Sequence, residues 1–292
     1  MMEGLAVLLV AAAAGYALAR WLSIPAIPAL LAAGIVLTIL GAVPTALIEQ
    51  SLVLGATFLL FVTGIEMNPS RTRAQRPVAL RVGAIQFFVH ALLGFGVSMA
   101  LGFGPLGSFY LALAITASST LLVIRLLQSR GQLFEPFARL VVGVLLLQDL
   151  LVILLIPLVT RVADGLPAMI VGLLATIGLI VLAWACHRFA APLILRLHDN
   201  ESMILTILAV LFVFVGFANA LELPLVTGAF LGGVALSTFP VSGVVRSQLG
   251  SIADFFAALF YVALGALVAV PTAGEIGAAL VLAALVLIAT PP

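Results

Sequence analysis

The chain has 292 residues, 64% of them hydrophobic and 8% charged, with a formal net charge of +1. So much apolar surface excludes a water-soluble globular domain and indicates an all-α polytopic membrane protein. All twelve basic residues are Arg and none joins more than a short loop cluster, which excludes nucleic acid as a partner; the single Cys186 excludes an intrachain disulfide and a cysteine metal cluster.

Apolar stretches fall near 5–20, 26–41, 51–66, 78–102, 108–127, 138–160, 167–186, 203–220, 223–239, 252–270 and 274–290. They predict about eleven helices, several shorter than the roughly 20 residues of a perpendicular span. Short or Gly-interrupted helices within a bundle are typical of secondary transporters. The first stretch lacks a clear small-residue cleavage site and reads as a retained span.

The arginines predict the topology. Arg20, Arg71, Arg73, Arg76, Arg81, Arg125, Arg130, Arg139, Arg188, Arg196 and Arg246 fall on one side if the segments alternate, and only Arg161 falls on the other. The positive-inside rule then puts the N-terminus outside and the end of the eleventh helix inside. The expected setting is a cell membrane of the bacterial inner-membrane kind.

Segments about 200 residues apart resemble one another. IPAIPALLAAGIVLT at 24–38 aligns without a gap on LPLVTGAFLGGVALS at 223–237, matching Pro25 with Pro224, Gly34 with Gly233 and Thr38 with Ser237. SLVLGATFLLFVTGIE at 51–66 aligns on SIADFFAALFYVALGAL at 251–267 with a one-residue slip. Alternation runs the two copies in opposite senses across the membrane, the pattern of an inverted-repeat carrier with a central site. Residues 1–292 are read as one cation/proton exchanger transmembrane domain, with a first repeat at about 24–160 and an incomplete second at about 223–292. Counterparts of 108–127 and 138–160 would fall near 308–327 and 338–360, so the sequence is expected to be a fragment, with a minimal variant of the fold as the alternative.

Within 138–160, Gln148 and Asp149 are the strongly polar side chains of LVVGVLLLQDLLVILLIPLVT. A carboxylate at membrane depth is costly and marks function by default. Burial favours its protonated form and a nearby cation its ionised form. One group can therefore release a proton as it takes a cation. Gln148 offers an acceptor and a donor, although successive helix positions do not face the same way. Thr116, Ser118, Ser119 and Thr120 lie in ALAITASST. They either back-bond to the preceding turn or mark an unwound midpoint that offers oxygens to a cation.

The remaining charges are read as structural or interfacial. Glu66 pairs with Arg71, Arg73 or Arg76 or takes part in transport. Arg139 anchors its helix by snorkelling, and Asp254 sits near the start of the tenth span as an N-terminal charge. Pro157 is expected to kink its helix. His90 reads as a satisfied packing residue, and no cofactor is expected.

Several of these motifs resemble the cation:proton antiporter-2 family, in particular its glutathione-gated potassium-efflux branch. They are LSIPAIPALLAAGIVLT at 22–38, FVTGIEMNPS at 61–70, LALAITASST at 111–120, GVLLLQDLLVILLIPL at 143–158, VTGAFLGGVALS at 226–237 and LFYVALGALV at 259–268. The resemblance implies a sodium/proton-antiporter-like fold of thirteen helices, about eleven of them present, with core and dimerisation domains and discontinuous helices crossing beside the carboxylate helix. It implies a homodimer in the lipid bilayer and a cytoplasmic regulatory domain or subunit. It also implies proton and cation binding at Asp149, a polar site role for Gln148, and an unwound segment around Thr116–Thr120. Gln at 148 resembles the potassium-linked branch, where the sodium branch often has two adjacent Asp residues. Potassium is thus favoured slightly over sodium as the ion exchanged for protons. The competing readings are a channel-like conduit and a non-transporting scaffold. An intramembrane aspartyl protease would need a second, equally deep carboxylate.

Overall fold

The computed structural model describes residues 2–66, 76–117, 123, 126–127, 130–132, 135–189, 200–237, 241–269 and 271–289. Among them are eleven α-helices: α1 Met2–Leu22, α2 Ala26–Ile39, α3 Thr45–Glu66, α4 Arg76–Ala100, α5 Pro105–Thr116, α6 Pro136–Val159, α7 Leu166–Phe189, α8 Asn200–Ala220, α9 Leu225–Ala235, α10 Val241–Ala266 and α11 Ala273–Ala289. A 3-10 turn lies at Val162–Asp164. Six of the helices are long and apolar enough to cross a bilayer, and shorter apolar helices accompany them. The protein is a multi-pass membrane protein.

Three helix limits depart most from the hydropathy pattern. α3 begins at Thr45 rather than 51, because Glu49 and Gln50 are polar yet good helix formers. α10 begins at Val241 rather than 252, since the polar turns VSGVVRSQLGS continue the helix. α5 stops at Thr116 rather than 127, and Ala117 is extended, with φ −76° and ψ 115°.

The helices group into two compact units. The first comprises residues 1–67 and 177–271 and the second residues 68–176 and 272–292. In the first, α3 packs on α9 and α10, α2 on α1 and α10, and α8 on α9. In the second, α4 packs on α5, α6 and α11.

The inverted repeat is built into the first unit at atomic detail. α1 and α8 both end in a left-handed residue, Ser23 and Glu222, each at φ 54°. The Ser23 amide donates to the Arg20 carbonyl and the Ile24 amide to Ala19; the Glu222 amide donates to Asn219 and the Leu223 amide to Ala218. Both are Schellman caps, which satisfy the last carbonyls of a helix. Pro25 and Pro224 then cap α2 and α9 with nearly the same backbone, φ −57° and −55°. The likeness therefore reaches upstream of residues 24 and 223.

The cores repeat as well. One cluster holds Leu8 and Ala12 of α1, Leu30 and Leu37 of α2, and Val262 of α10. The other holds Ile207 and Leu211 of α8, Ala229 of α9 and Leu236 at its end, and Phe61 of α3. Each member lies about 200 positions from its counterpart, in the order given.

Four buried glycines join these clusters. A Cβ on Gly34 would strike the Val262 carbonyl and the Ala266 amide, and one on Gly233 the Phe61 carbonyl and the Ile65 amide. Conversely, a Cβ on Gly265 would strike the Leu31 carbonyl, and one on Gly64 the Phe230 carbonyl. Thus α2 meets α10 as α9 meets α3, backbone against backbone. Lipid provides no hydrophobic drive between helices, so such close contact of small residues is what holds them. The symmetry is broken at the polar ends: Thr38 Oγ1 donates across to the Ala266 carbonyl, while Ser237 Oγ donates within its own turn to Val234.

Candidate functional site

Of the candidate ion-site residues, those that the structure describes, Thr116, Gln148 and Asp149, belong to the second unit. α6 is 24 residues long, about 36 Å at 1.5 Å per residue. Glu135 caps it, Pro136 occupies its first turn, and Pro157 is accommodated inside it near the far end. Pro at the first turn costs nothing, because its missing amide would be an orphan there anyway. Asp149 is the fourteenth residue of α6 and so sits close to its middle.

Gln148 is 2% exposed and Asp149 is half-buried. The difference follows from the 100° turn between successive helix positions. Among the described residues, the Gln148 Oε1 atom is buried without a hydrogen-bond partner. An orphaned buried acceptor of this kind costs about 1–3 kcal/mol. Glutamine at this depth is therefore poorly explained by packing alone.

α5 supplies the second element. Gly104 caps it, Pro105 opens it, and it ends after 12 residues at Thr116. Thr116 is 2% exposed, and its hydroxyl donates to the Leu113 carbonyl at 2.7 Å. That bond covers one carbonyl of the last turn, as helix ends require. Back-bonding and departure from the helix occur together here, rather than as alternatives. Ser118, Ser119 and Thr120 lie outside the described residues.

Packing brings α4, α5 and α6 together. Phe87 of α4, Leu113 of α5 and Val159 of α6 form one buried cluster, flanked by Leu151, Val152, Leu155 and Ile156 of α6. Thr116 is one turn beyond Leu113 on α5, and Asp149 is about one turn before Val152 on α6. Gly94 permits the close approach of α5: its Cβ position is 3.1 Å from the Ala112 Cα and from the Ile115 Cδ1. Gly96 and Gly104 face open space, and Gly102 adopts φ +89° at the end of α4.

Arg139 is exposed in the first turn of α6. Glu66 is the last residue of α3; its side chain, like Arg71 and Arg73, lies outside the described residues. The expected place of Asp254 is corrected. α10 starts at Val241, so Asp254 is its fourteenth residue and cannot act as an N-terminal charge. The polar turns before residue 252 hid that start from hydropathy. His90 is 7% exposed and hydrogen-bonded. Among the described residues, no group of three or more His, Cys, Asp or Glu is placed to hold a metal ion.

Comparison with known proteins places this geometry in context. Residues 6–291 match the family described as sodium/hydrogen exchanger, transmembrane. The chain is 30% identical over 227 residues to K(+) efflux antiporter 4 of Arabidopsis thaliana, covering 73% of this chain and 38% of that protein. It is 26% identical over 220 residues to the K(+)/H(+) antiporter subunit KhtU of Bacillus subtilis, covering 73% and 54%. It is 28% identical over 221 residues to the glutathione-regulated potassium-efflux system protein KefC of Cronobacter sakazakii, covering 73% and 36%. The chain thus spans roughly a third to a half of the length of these curated relatives. In fold it is similar to the sodium proton antiporter MjNhaP1 of Methanocaldococcus jannaschii, with a TM-score of 0.71 and 19% identity, covering 91% of this chain and 70% of that one. These likenesses bear out the resemblance read from the motifs and the antiporter-like, inverted-repeat fold with a discontinuous helix.

Proposed function

Because the chain belongs to the sodium/hydrogen exchanger transmembrane family, we propose that it exchanges a monovalent cation for protons at Asp149, with potassium favoured over sodium. The observation that carries this reading is the Gln148–Asp149 pair at mid-helix in α6, with a buried, unpartnered Gln148 oxygen. Asp149 takes a proton in one phase of the cycle and a dehydrated cation in the other. Competition for one carboxylate prevents both from being carried together, and that is what couples the fluxes. Gln148 Oε1 serves as a neutral oxygen ligand, replacing part of the hydration shell. Thr116 and the segment after it, including Ser118, Ser119 and Thr120, complete the oxygen set where α5 leaves its helix.

In this reading residues 1–292 form one exchanger domain. Its first repeat lies at about 24–160 and its second at about 223–292. The first compact unit is the scaffold of a homodimer, and the second moves to expose Asp149 to either side. The excess of arginines on one side supports an N-terminus outside and α11 ending inside, in a cell membrane of the bacterial inner-membrane kind. The names of the Bacillus and Cronobacter relatives support potassium as the cation and a cytoplasmic regulatory domain or subunit as a partner.

Ion choice is tested at Gln148. Gln148→Asp adds a second hard, charged oxygen donor and is expected to raise sodium-driven proton flux relative to potassium-driven flux in proteoliposomes. An unchanged sodium-to-potassium ratio removes Gln148 from the selectivity argument.

A further inference from the structure

Resting on the exchange reading at Gln148 and Asp149, we propose that α4 positions both halves of the ion site, with Gly83 and Gly94 setting the affinity for the cation. Both glycines are buried in α4. They are eleven positions apart, which at 100° per residue returns them to within about 20° of the same helix face. A Cβ on Gly94 would lie 3.1 Å from the Ala112 Cα, 3.1 Å from the Ile115 Cδ1 and 3.4 Å from the Ile115 Cβ of α5. A Cβ on Gly83 would lie 2.9 Å from the Leu147 Cδ2, 3.5 Å from the Val144 Cα and 3.6 Å from the Val144 Cγ1 of α6.

The two contacts share one register. Ile115 and Ala112 are one and four positions before Thr116, and Leu147 and Val144 are one and four positions before Gln148. Each glycine thus meets the turn that leads directly into an oxygen donor of the site. α4 packs on both α5 and α6. The gap it leaves to each of them fixes where Thr116 and the Gln148–Asp149 pair stand. Close-packed interiors transmit a shift at such a contact rather than absorb it. A binding constellation must hold its geometry to within about 0.5 Å, so small changes in either gap reach the cation.

An added methyl group acts differently at the two positions. Opposite Gly94 stands main chain, and the Ala112 Cα retreats only if α5 moves, by a few tenths of an ångström. α5 ends at Thr116 and Ala117 is extended, so no further helical turn holds that end in place. The displacement therefore falls on Thr116. Opposite Gly83 the nearest atom is the end of the half-buried Leu147 side chain, which can partly turn aside. α6 also continues as helix through Gln148 to Val159. The displacement passed to Gln148 is smaller.

The test is the half-saturating concentration of potassium and of sodium in cation-driven proton flux, measured on the full chain in proteoliposomes. Wild type, Gly94→Ala, Gly83→Ala and Gly96→Ala are compared. Gly96 is the control, because nothing lies within 4 Å of its Cβ position. Gly94→Ala is expected to raise half-saturation about threefold or more, on a scale of about a hundredfold per ångström of misplacement. Gly83→Ala shifts it in the same sense by a smaller factor, and Gly96→Ala matches the wild type. A purely structural role would lower the amount of active protein, and with it the maximal flux, while leaving half-saturation unchanged. Half-saturation in Gly94→Ala equal to that in Gly96→Ala overturns the proposal. If Gly94→Ala does not fold, the same comparison with Gly83→Ala decides. Absence of coupled flux in the wild type is a separate result, which overturns the exchange reading and this proposal with it.

Discussion

Adding one methyl group at Gly34 or Gly233 is expected to disrupt the first unit. The new Cβ falls on main-chain atoms of the facing helix: Val262 and Ala266 in one case, Phe61 and Ile65 in the other. Every one of these contacts is under 3.0 Å, closer than real Cβ atoms come. A clashing side chain could rotate away, but a facing carbonyl moves only if the helix moves. The loss should therefore exceed about 3 kcal/mol, the upper end of ordinary overpacking. Gly34→Ala and Gly233→Ala should be harmed to a similar degree, because they meet equivalent atoms in the two repeats. Gly216→Ala is the control: nothing lies within 4 Å of its Cβ position, and Ala is favoured over Gly in a helix by up to about 1 kcal/mol. Thermal challenge followed by size-exclusion chromatography reads all three. If Gly34→Ala and Gly233→Ala survive as well as Gly216→Ala, the backbone contacts between α2 and α10 and between α9 and α3 do not exist as described.

Asp149→Asn is expected to reduce coupled exchange to the level of protein-free vesicles while leaving insertion intact. Asn matches Asp in shape but can neither ionise nor carry a proton. Asn carries no charge, so the exchange does not raise the cost of placing this position within the membrane. Loss of flux would thus not reflect a failure to enter the membrane. The check is cation-driven proton movement in proteoliposomes with matched protein content. Coupled flux like that of the wild type in Asp149→Asn would refute the carrier role of this carboxylate.

Much of this arrangement could be read in the chain, for identifiable reasons. Pro25 and Pro224 are visible as a pair because proline at a helix start needs no contact information, and both take the same backbone. The slip in the second aligned segment is settled by packing: Gly64 and Gly265 occupy equivalent contacts, as do Phe61 and Val262. Hydropathy marks the apolar cores of α3 and α10 but not their polar first turns, so on that pattern alone Asp254 falls at a helix start. Ser23 and Glu222 were invisible as left-handed caps, because neither is the Gly or Asn that normally marks one. At the site, composition singles out Asp149, but no linear pattern says that Gln148 is the more buried of the two. That ordering depends on which face of α6 meets its neighbours. The Ser/Thr run was legible as a helix break through residue 117, and its remainder falls outside the described residues.

The most direct test of exchange at Asp149 is a two-ion flux measurement on the purified chain in proteoliposomes. An imposed potassium or sodium gradient should drive proton movement in the opposite direction, saturating with cation concentration and keeping a fixed cation-to-proton ratio. Proton flux without linked cation flux, or cation flux that neither saturates nor moves protons, would contradict antiport.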